Sequence, residues 1–239
     1  MIALKGAPVS AKMKDEIDEQ KKALSGPAPK LGIVRVGERP DDLSYERGAL
    51  KRMEKLGLAA ESFVFPQDIS HEAFEKEFLA INEDPAIDGI LLLRPLPKQI
   101  DEDKITRLID PEKDLDGISP TNIAKVFSGD ETGFAPCTAE AVIEVLKAYG
   151  IPIAGKRAVV VGRSMVVGRP LAMLLLKENA TVTICHTKTR DLPEVCREGE
   201  ILIAAAGKAK MLDKSFAGED AVVIDVGINV DKEGNLCGD

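Results

Sequence analysis

At 239 residues, 44% hydrophobic and 30% charged, the chain has enough material for one large domain or two modest ones with buried cores. Its 32 basic and 40 acidic residues leave a net charge of −8, which gives no electrostatic basis for wrapping nucleic acid or docking on an anionic membrane, and no apolar run approaches the length of a membrane span. Cys137, Cys185, Cys196 and Cys237 fall at irregular spacings without a C-x-x-C pair, and His71 and His186 are the only histidines, so no metal site is expected and the cysteines read as reduced and structural. The first twenty residues mix acidic and basic side chains within two turns and lack an apolar signal-peptide core, which makes the cytoplasm the expected location. A small-molecule partner is the natural expectation.

In chain order, an amphipathic helix is predicted over 10–24, stopped by Ser25-Gly26-Pro27, followed by a strand over 30–36. A loop over 37–42 leads to a helix over 44–56 that Gly57 ends as a left-handed cap. A strand over 61–65, a helix over 71–82 and a continuous apolar strand over 87–93 complete an alternation that specifies a parallel α/β sheet. The segment 95–116, rich in Pro and Asp, reads as a long surface loop with one short helix, where function concentrates. A helix over 136–149 crosses to a second series: strand 157–161, helix 170–179, and strands 181–185, 201–206 and 221–226. The domain boundary is placed near Gly150, giving residues 1–149 and 150–239. No internal repeat is visible.

The run from Lys156 to His186, KRAVVVGRSMVVGRPLAMLLLKENATVTICH, is strand, glycine turn, helix and second strand within the length of one βαβ unit. Gly162 permits a tight turn, Gly168 a close approach at the helix start, and Pro170 suits the first helical turn. Backbone N–H groups at such a turn face a pyrophosphate, so a nicotinamide dinucleotide is expected here. Ser164 stands where G-x-G-x-x-G has its second glycine, so the spacing alone is a weak signal. Arg163 follows the turn, and the second strand ends in His186-Thr187-Lys188 with no carboxylate to repel a 2′-phosphate, which favours NADP and leaves NAD open. The plain alternative is that Arg163 and Lys188 are solvated surface charges.

At this point the chain resembles the methylenetetrahydrofolate dehydrogenase/methenyltetrahydrofolate cyclohydrolase family. The stretches that carry the resemblance are LGIVRVG, SYERGALKRMEKLGL, DGILLLRPLP, PEKDLDGISPTNIAKV, PCT, VVVGRSMVVGRP, NATVTICHTKT and DVGIN, in the family's order and across nearly the whole chain. The resemblance implies an N-terminal folate-binding α/β domain, a Rossmann-type C-terminal domain, a cleft between them, and a homodimer. It implies that Tyr45 lines the pterin pocket with Leu93 and Pro95, that Asp116 hydrogen-bonds the pterin, and that Gly162, Arg163, Ser164, Gly168, Thr187 and Ile228 contact the cofactor. The residue types suit those roles, since a tyrosine offers a ring face and a carboxylate accepts two hydrogen bonds from an aminopyrimidinone edge. A tyrosine at the edge of a core and a loop aspartate in an Asx turn are the plain alternatives.

Two departures from the family pattern bear on chemistry. Members with both activities carry a lysine four residues after the tyrosine and a glutamine in the later loop, where this chain has Ala49 and Leu93. The lysine serves the hydrolytic step, and alanine can neither accept a proton nor polarise water. Hydride transfer leaves a cation delocalised over N5 and N10 and needs orientation more than a general base. The expectation is therefore a dehydrogenase with weak or absent cyclohydrolase activity. Lys51 is a second possible source of the amine, but a regular helix turns it about 200° away from position 49. Two rival readings stand beside the dehydrogenase: a bifunctional enzyme using Lys51, and a folate- or nucleotide-binding protein without turnover. The family also continues beyond the position of Asp239 with a glycine- and proline-rich loop and a helix, so the second domain is expected to be truncated at its C-terminus.

Overall fold

The computed structural model describes residues 4–239. The chain divides into two compact units that join at Ala124 and Lys125, earlier than the break expected near Gly150. The physical reason lies in helix α6 (Cys137–Ala148), whose Ala139, Val142, Ile143 and Leu146 share one core with β4 (Arg157–Val161) and α7 (Gly168–Lys177). That helix belongs to the second sheet and is no bridge between two sheets.

In the first unit, α1 (Gly6–Lys22) is followed by β1 (Lys30–Val36), α2 (Pro40–Leu56), β2 (Ala59–Phe65), α3 (His71–Glu83), β3 (Gly89–Leu92), α4 (Glu102–Leu108) and α5 (Pro120–Ser128), which carries the chain into the second unit. The three strands are parallel in the order β2-β1-β3. Side chains alternate across the sheet. Val34, Val36, Ile90 and Leu92 face one side, where Phe74, Phe78 and Ile81 of α3 close a core. Leu31, Ile33 and Leu93 face the other, where Ala49 and Met53 of α2 pack. Phe74 and Phe78 are fully buried, each burial stabilising the unit by roughly 1.5–3 kcal/mol.

Helix α2 begins four residues earlier than the sequence pattern suggests, with Pro40 in its first turn and Asp41 and Asp42 favourably placed at its positive end. Gly57 ends it at φ 61°, ψ 34°, the left-handed cap expected. The segment 95–116 departs from the expected surface loop. Leu96, Ile100, Ile105 and Ile109 are buried in the α3-side core, and Asp114 is wholly buried. Its Pro and Asp residues mark turns and helix starts rather than exposure, Asp101 capping α4 by accepting from Lys104 N.

In the second unit, β4, α7 and β5 (Thr181–Cys185) are followed by α8 (Leu192–Arg197), β6 (Ile201–Ala204), a short 3₁₀ turn (Lys214–Phe216), β7 (Val222–Asp225) and a hairpin of β8 (Asn229–Val230) with β9 (Leu236–Cys237). The four main strands are parallel in the order β5-β4-β6-β7. Ala158, Val160, Ile201 and Ile203 meet α6 and α7 on one face, while Val159, Val161 and Leu202 meet Cys196 of α8 on the other. This is the doubly wound arrangement the alternation implies. Helices α5 and α8 and the hairpin escape sequence reading, being short elements with little room for periodicity to accumulate.

Candidate functional site

Strand order determines where each unit can receive a ligand. The chain leaves β1 with β2 on one side and β3 on the other, and leaves β4 with β5 on one side and β6 on the other. Connections diverge at the carboxyl ends of such strands, and the divergence opens a crevice. Gly162, Arg163 and Ser164 follow β4 directly, Leu93 and Pro95 follow β3, Thr187 follows β5, Ile228 follows β7, and Tyr45 lies on α2 after β1.

In the second unit the turn after β4 is built from close backbone approach. Gly162 N donates to Cys185 O at 2.9 Å, prolonging the β4–β5 ladder, and its φ of 145° lies in a region closed to other residues. A side chain there would meet the Ala205 carbonyl oxygen 2.1 Å from its Cβ, and one at Gly168 would lie 2.1 Å from the Gly162 oxygen and 2.9 Å from Arg163 N. Between them Ser164 folds the loop, its Oγ accepting from Val167 N at 3.1 Å and its carbonyl from Arg169 N at 3.0 Å. Helix α7 then starts with no acidic residue in its first turn, so its positive end faces the loop uncompensated by its own side chains. Arg163 and Ser164 lie on that loop, both exposed.

At the end of β5 a second tight turn closes. His186 N donates to Thr189 Oγ1 at 2.9 Å, Lys188 N to His186 Nδ1 at 3.1 Å, and Thr189 N to His186 O at 2.8 Å. Thr187 and Lys188 are left exposed at its tip with no carboxylate between them. Beneath it, burial raises the thiol pKa of both Cys185 and Cys196, the latter to about 12, so both stay protonated and unreactive. Ile228, after β7, is 76% exposed. The pattern of crowded glycines, a helix N-terminus and a carboxylate-free second strand end fits a dinucleotide with a 2′-phosphate.

In the first unit the corresponding end is made of side chains. Arg35, on the face of β1 that looks toward α2, donates from Nε to Glu46 Oε2 at 2.7 Å and from Nη1 to Gly37 O, and both side chains are buried. Arg39 grips Asp42 with two bonds of 2.8 and 2.6 Å. The first pair holds α2 against the sheet, and the second closes the helix's own N-terminal turn. Tyr45 is 62% exposed, its ring available to a ligand rather than part of the core edge. Sequence reading missed the Arg35–Glu46 pair, since residues eleven apart meet only when a strand and the next helix fold together.

One turn beyond Tyr45, Ala49 packs on the apolar cluster of Leu31, Ile33 and Leu93, and Leu115 joins that cluster from the loop that carries Asp116. Ala49 and Leu93 therefore lie in one hydrocarbon environment. Lys51 lies on an uninterrupted α-helix and is exposed to solvent, so no helical distortion turns its amine toward Ala49. After β3 the Arg94–Pro95 peptide is cis, and Glu102 pins the loop by accepting from Leu96 N at 2.8 Å and Arg94 Nη1 at 3.4 Å. Among the described residues no cluster of His, Cys, Asp or Glu could hold a metal ion, and no helix is long and apolar enough to cross a membrane.

Comparison with known proteins agrees in both units. The model of the tetrahydrofolate dehydrogenase/cyclohydrolase catalytic domain matches residues 4–116, and that of the NAD(P)-binding domain of the same family matches residues 136–239. The bifunctional protein FolD of Alkaliphilus oremlandii is 55% identical over 238 residues, covering 99% of this chain and 84% of that relative. The crystal structure of the bifunctional FolD methylenetetrahydrofolate dehydrogenase/cyclohydrolase from Campylobacter jejuni superposes with a TM-score of 0.95 at 37% identity, over 99% of this chain and 84% of that one. The Trypanosoma brucei enzyme, complexed with NADP cofactor and an inhibitor, superposes with a TM-score of 0.91 at 33% identity, over 100% and 84%. The chain belongs to the tetrahydrofolate dehydrogenase/cyclohydrolase family.

Proposed function

We propose that this protein oxidises 5,10-methylenetetrahydrofolate to 5,10-methenyltetrahydrofolate with NADP, and that it hydrolyses the product weakly or not at all. The observation that carries the oxidative part is the backbone cradle at Gly162 and Gly168, where each glycine lies too close to neighbouring backbone for any side chain. NADP supplies the hydride acceptor when bound. Gly162, Ser164 and Gly168 would hold its pyrophosphate against the α7 N-terminus, Arg163 and Lys188 would meet its 2′-phosphate, and Thr187 and Ile228 would flank it. Tyr45, Leu93 and Pro95 would line the pterin, with Asp116 accepting from its aminopyrimidinone edge. Folate binding is assigned to the first unit and cofactor binding to the second.

The hydrolytic part rests on Ala49 and Leu93. Water attack on the methenyl carbon requires a group that moves protons, and these side chains offer none. Lys51 does not replace them, because its amine faces solvent from the same helix. Oxidation is less demanding, since the product cation is stabilised by its own nitrogens and the protein needs chiefly to orient it.

The test is direct. Purified protein given 5,10-methylenetetrahydrofolate and NADP should generate reduced cofactor, and failure with both NADP and NAD would favour a binding protein without turnover. Given the methenyl compound, it should leave the uncatalysed hydrolysis rate nearly unchanged. Hydrolysis far above that rate, abolished in Lys51→Ala, would overturn the single-activity reading. The protein is further read as a cytoplasmic homodimer, for which light scattering at micromolar concentration should give twice the chain mass.

A further inference from the structure

We infer that Asp114 is a positioning residue for folate binding, holding Asp116 in place through a closed knot of backbone without touching the substrate. The inference rests on the assignment of Asp116 to the pterin. Asp114 is wholly buried, and its carboxylate is met by N–H donors: Ile118 N at 3.0 Å on Oδ1, and Ser119 N at 2.8 Å with Asn122 Nδ2 at 2.9 Å on Oδ2. Asn122, also wholly buried, donates further to Pro111 O at 3.0 Å. Ser119 Oγ accepts from Asn122 N at 3.1 Å at the start of α5.

The entry to this loop is anchored as firmly as its exit. Ile90 N of β3 donates to Lys113 O at 2.7 Å, and Lys113 Nζ donates to the carbonyls of Asn82 and Asp84 at 2.8 and 2.7 Å. Leu115 packs so closely under β3 that a Cβ on Gly89 would lie 2.4 Å from its Cδ1. Between the anchors Gly117 N closes a turn on Asp114 O at 3.3 Å, with Asp116 as the third residue of that turn. A buried carboxylate facing several N–H groups orders them strongly, because replacing it leaves donors without acceptors in a dry site. The position of Asp116 is thus set by the residue two places before it.

Asp114→Asn turns part of this acceptor into a donor facing other donors. Its KM for 5,10-methylenetetrahydrofolate should rise about tenfold, the effect of one well-formed hydrogen bond, while the KM for NADP stays within roughly twofold. Asn122→Ala, which keeps the Ser119 cap and Pro120 at the helix start, should raise the folate KM about threefold in the same direction and carries the test if Asp114→Asn does not fold. Equal rises in both KM values, or an unchanged folate KM in both variants, would overturn the inference. Asp116→Ala run in parallel separates the two levels. A folate KM unmoved by Asp116→Ala overturns the assignment of Asp116 and the inference with it, whereas a large rise there with none in Asp114→Asn and Asn122→Ala overturns the positioning role alone.

Discussion

At the end of β4 the second unit forms its glycine turn from backbone, with Gly162 and Gly168 pressed against neighbouring carbonyl and amide groups, whereas at the corresponding end of the first unit the surface is made by side chains on α2, β3 and the 111–119 loop. A backbone cradle tolerates drift in its neighbours as long as the glycines remain. A side-chain site changes its chemistry with each substitution. On the proposed reading Ala49 and Leu93 show this, since two hydrocarbon side chains remove the hydrolytic chemistry while the glycine turn is intact. On that reading, binding of the cofactor and hydrolysis of the product are separable.

The sharpest way to test that contrast is to restore the side chains. Ala49→Lys with Leu93→Gln should raise hydrolysis of the methenyl compound by on the order of 10²–10⁴-fold, the usual contribution of a positioned acid–base group, measured as loss of its absorbance. The variant should also lose about 1–3 kcal/mol of stability, because Leu93 is buried among Leu31 and Ile33 and an amide there needs a partner. No gain in hydrolysis would mean that the first unit differs from bifunctional relatives by more than these two residues.

Gly168→Ala strikes the other side of the comparison. Its new methyl would collide with the Gly162 carbonyl, and the overpacking, about 1–3 kcal/mol, should weaken NADP binding by roughly ten- to a hundredfold by calorimetry. Folate binding should be unaffected, and a tight NADP complex in this variant would show that the close approach is not used.

Beneath the β5 turn, the Cys196 thiol is pushed up to about 12 by burial, against an ordinary value of 9.0 when the chain unfolds. The folded protein then keeps a proton that the unfolded chain releases, so stability is full below pH 9 and falls as pH rises from there toward 12. The slope from this group is at most about 1.4 kcal/mol per pH unit. Urea titrations at about pH 8 and about pH 10.5 should show the decline, and Cys196→Ala should flatten it. The smallest effect belongs to Lys51→Ala, exposed on α2, for which oxidation rate and stability should stay within about 0.5 kcal/mol of the parent.

Much of this was legible from residue order. The strands β1, β4 and β5 coincide with their predicted spans because unbroken apolar or alternating runs bounded by turn residues leave few other solutions. Gly57 and Gly162 were legible for a similar reason, as each closes a turn that only glycine adopts easily. The 95–116 segment was misread as surface because its Pro and Asp residues report turns, while the burial of Ile100, Ile105 and Ile109 depends on α3 lying above them.

From sequence alone came the α/β alternation, the glycine turn and the departures at Ala49 and Leu93, all of which depend on local backbone preference or on residue identity at a spacing. Tertiary structure alone decided that Ala49, Leu93 and Leu115 share one apolar cluster, that Arg35 finds Glu46, and that Asp114 ties its loop to α5. Those partners lie on different elements and meet only when strand order and helix packing bring them together. Buried polar contacts of that kind leave no periodic trace in the chain.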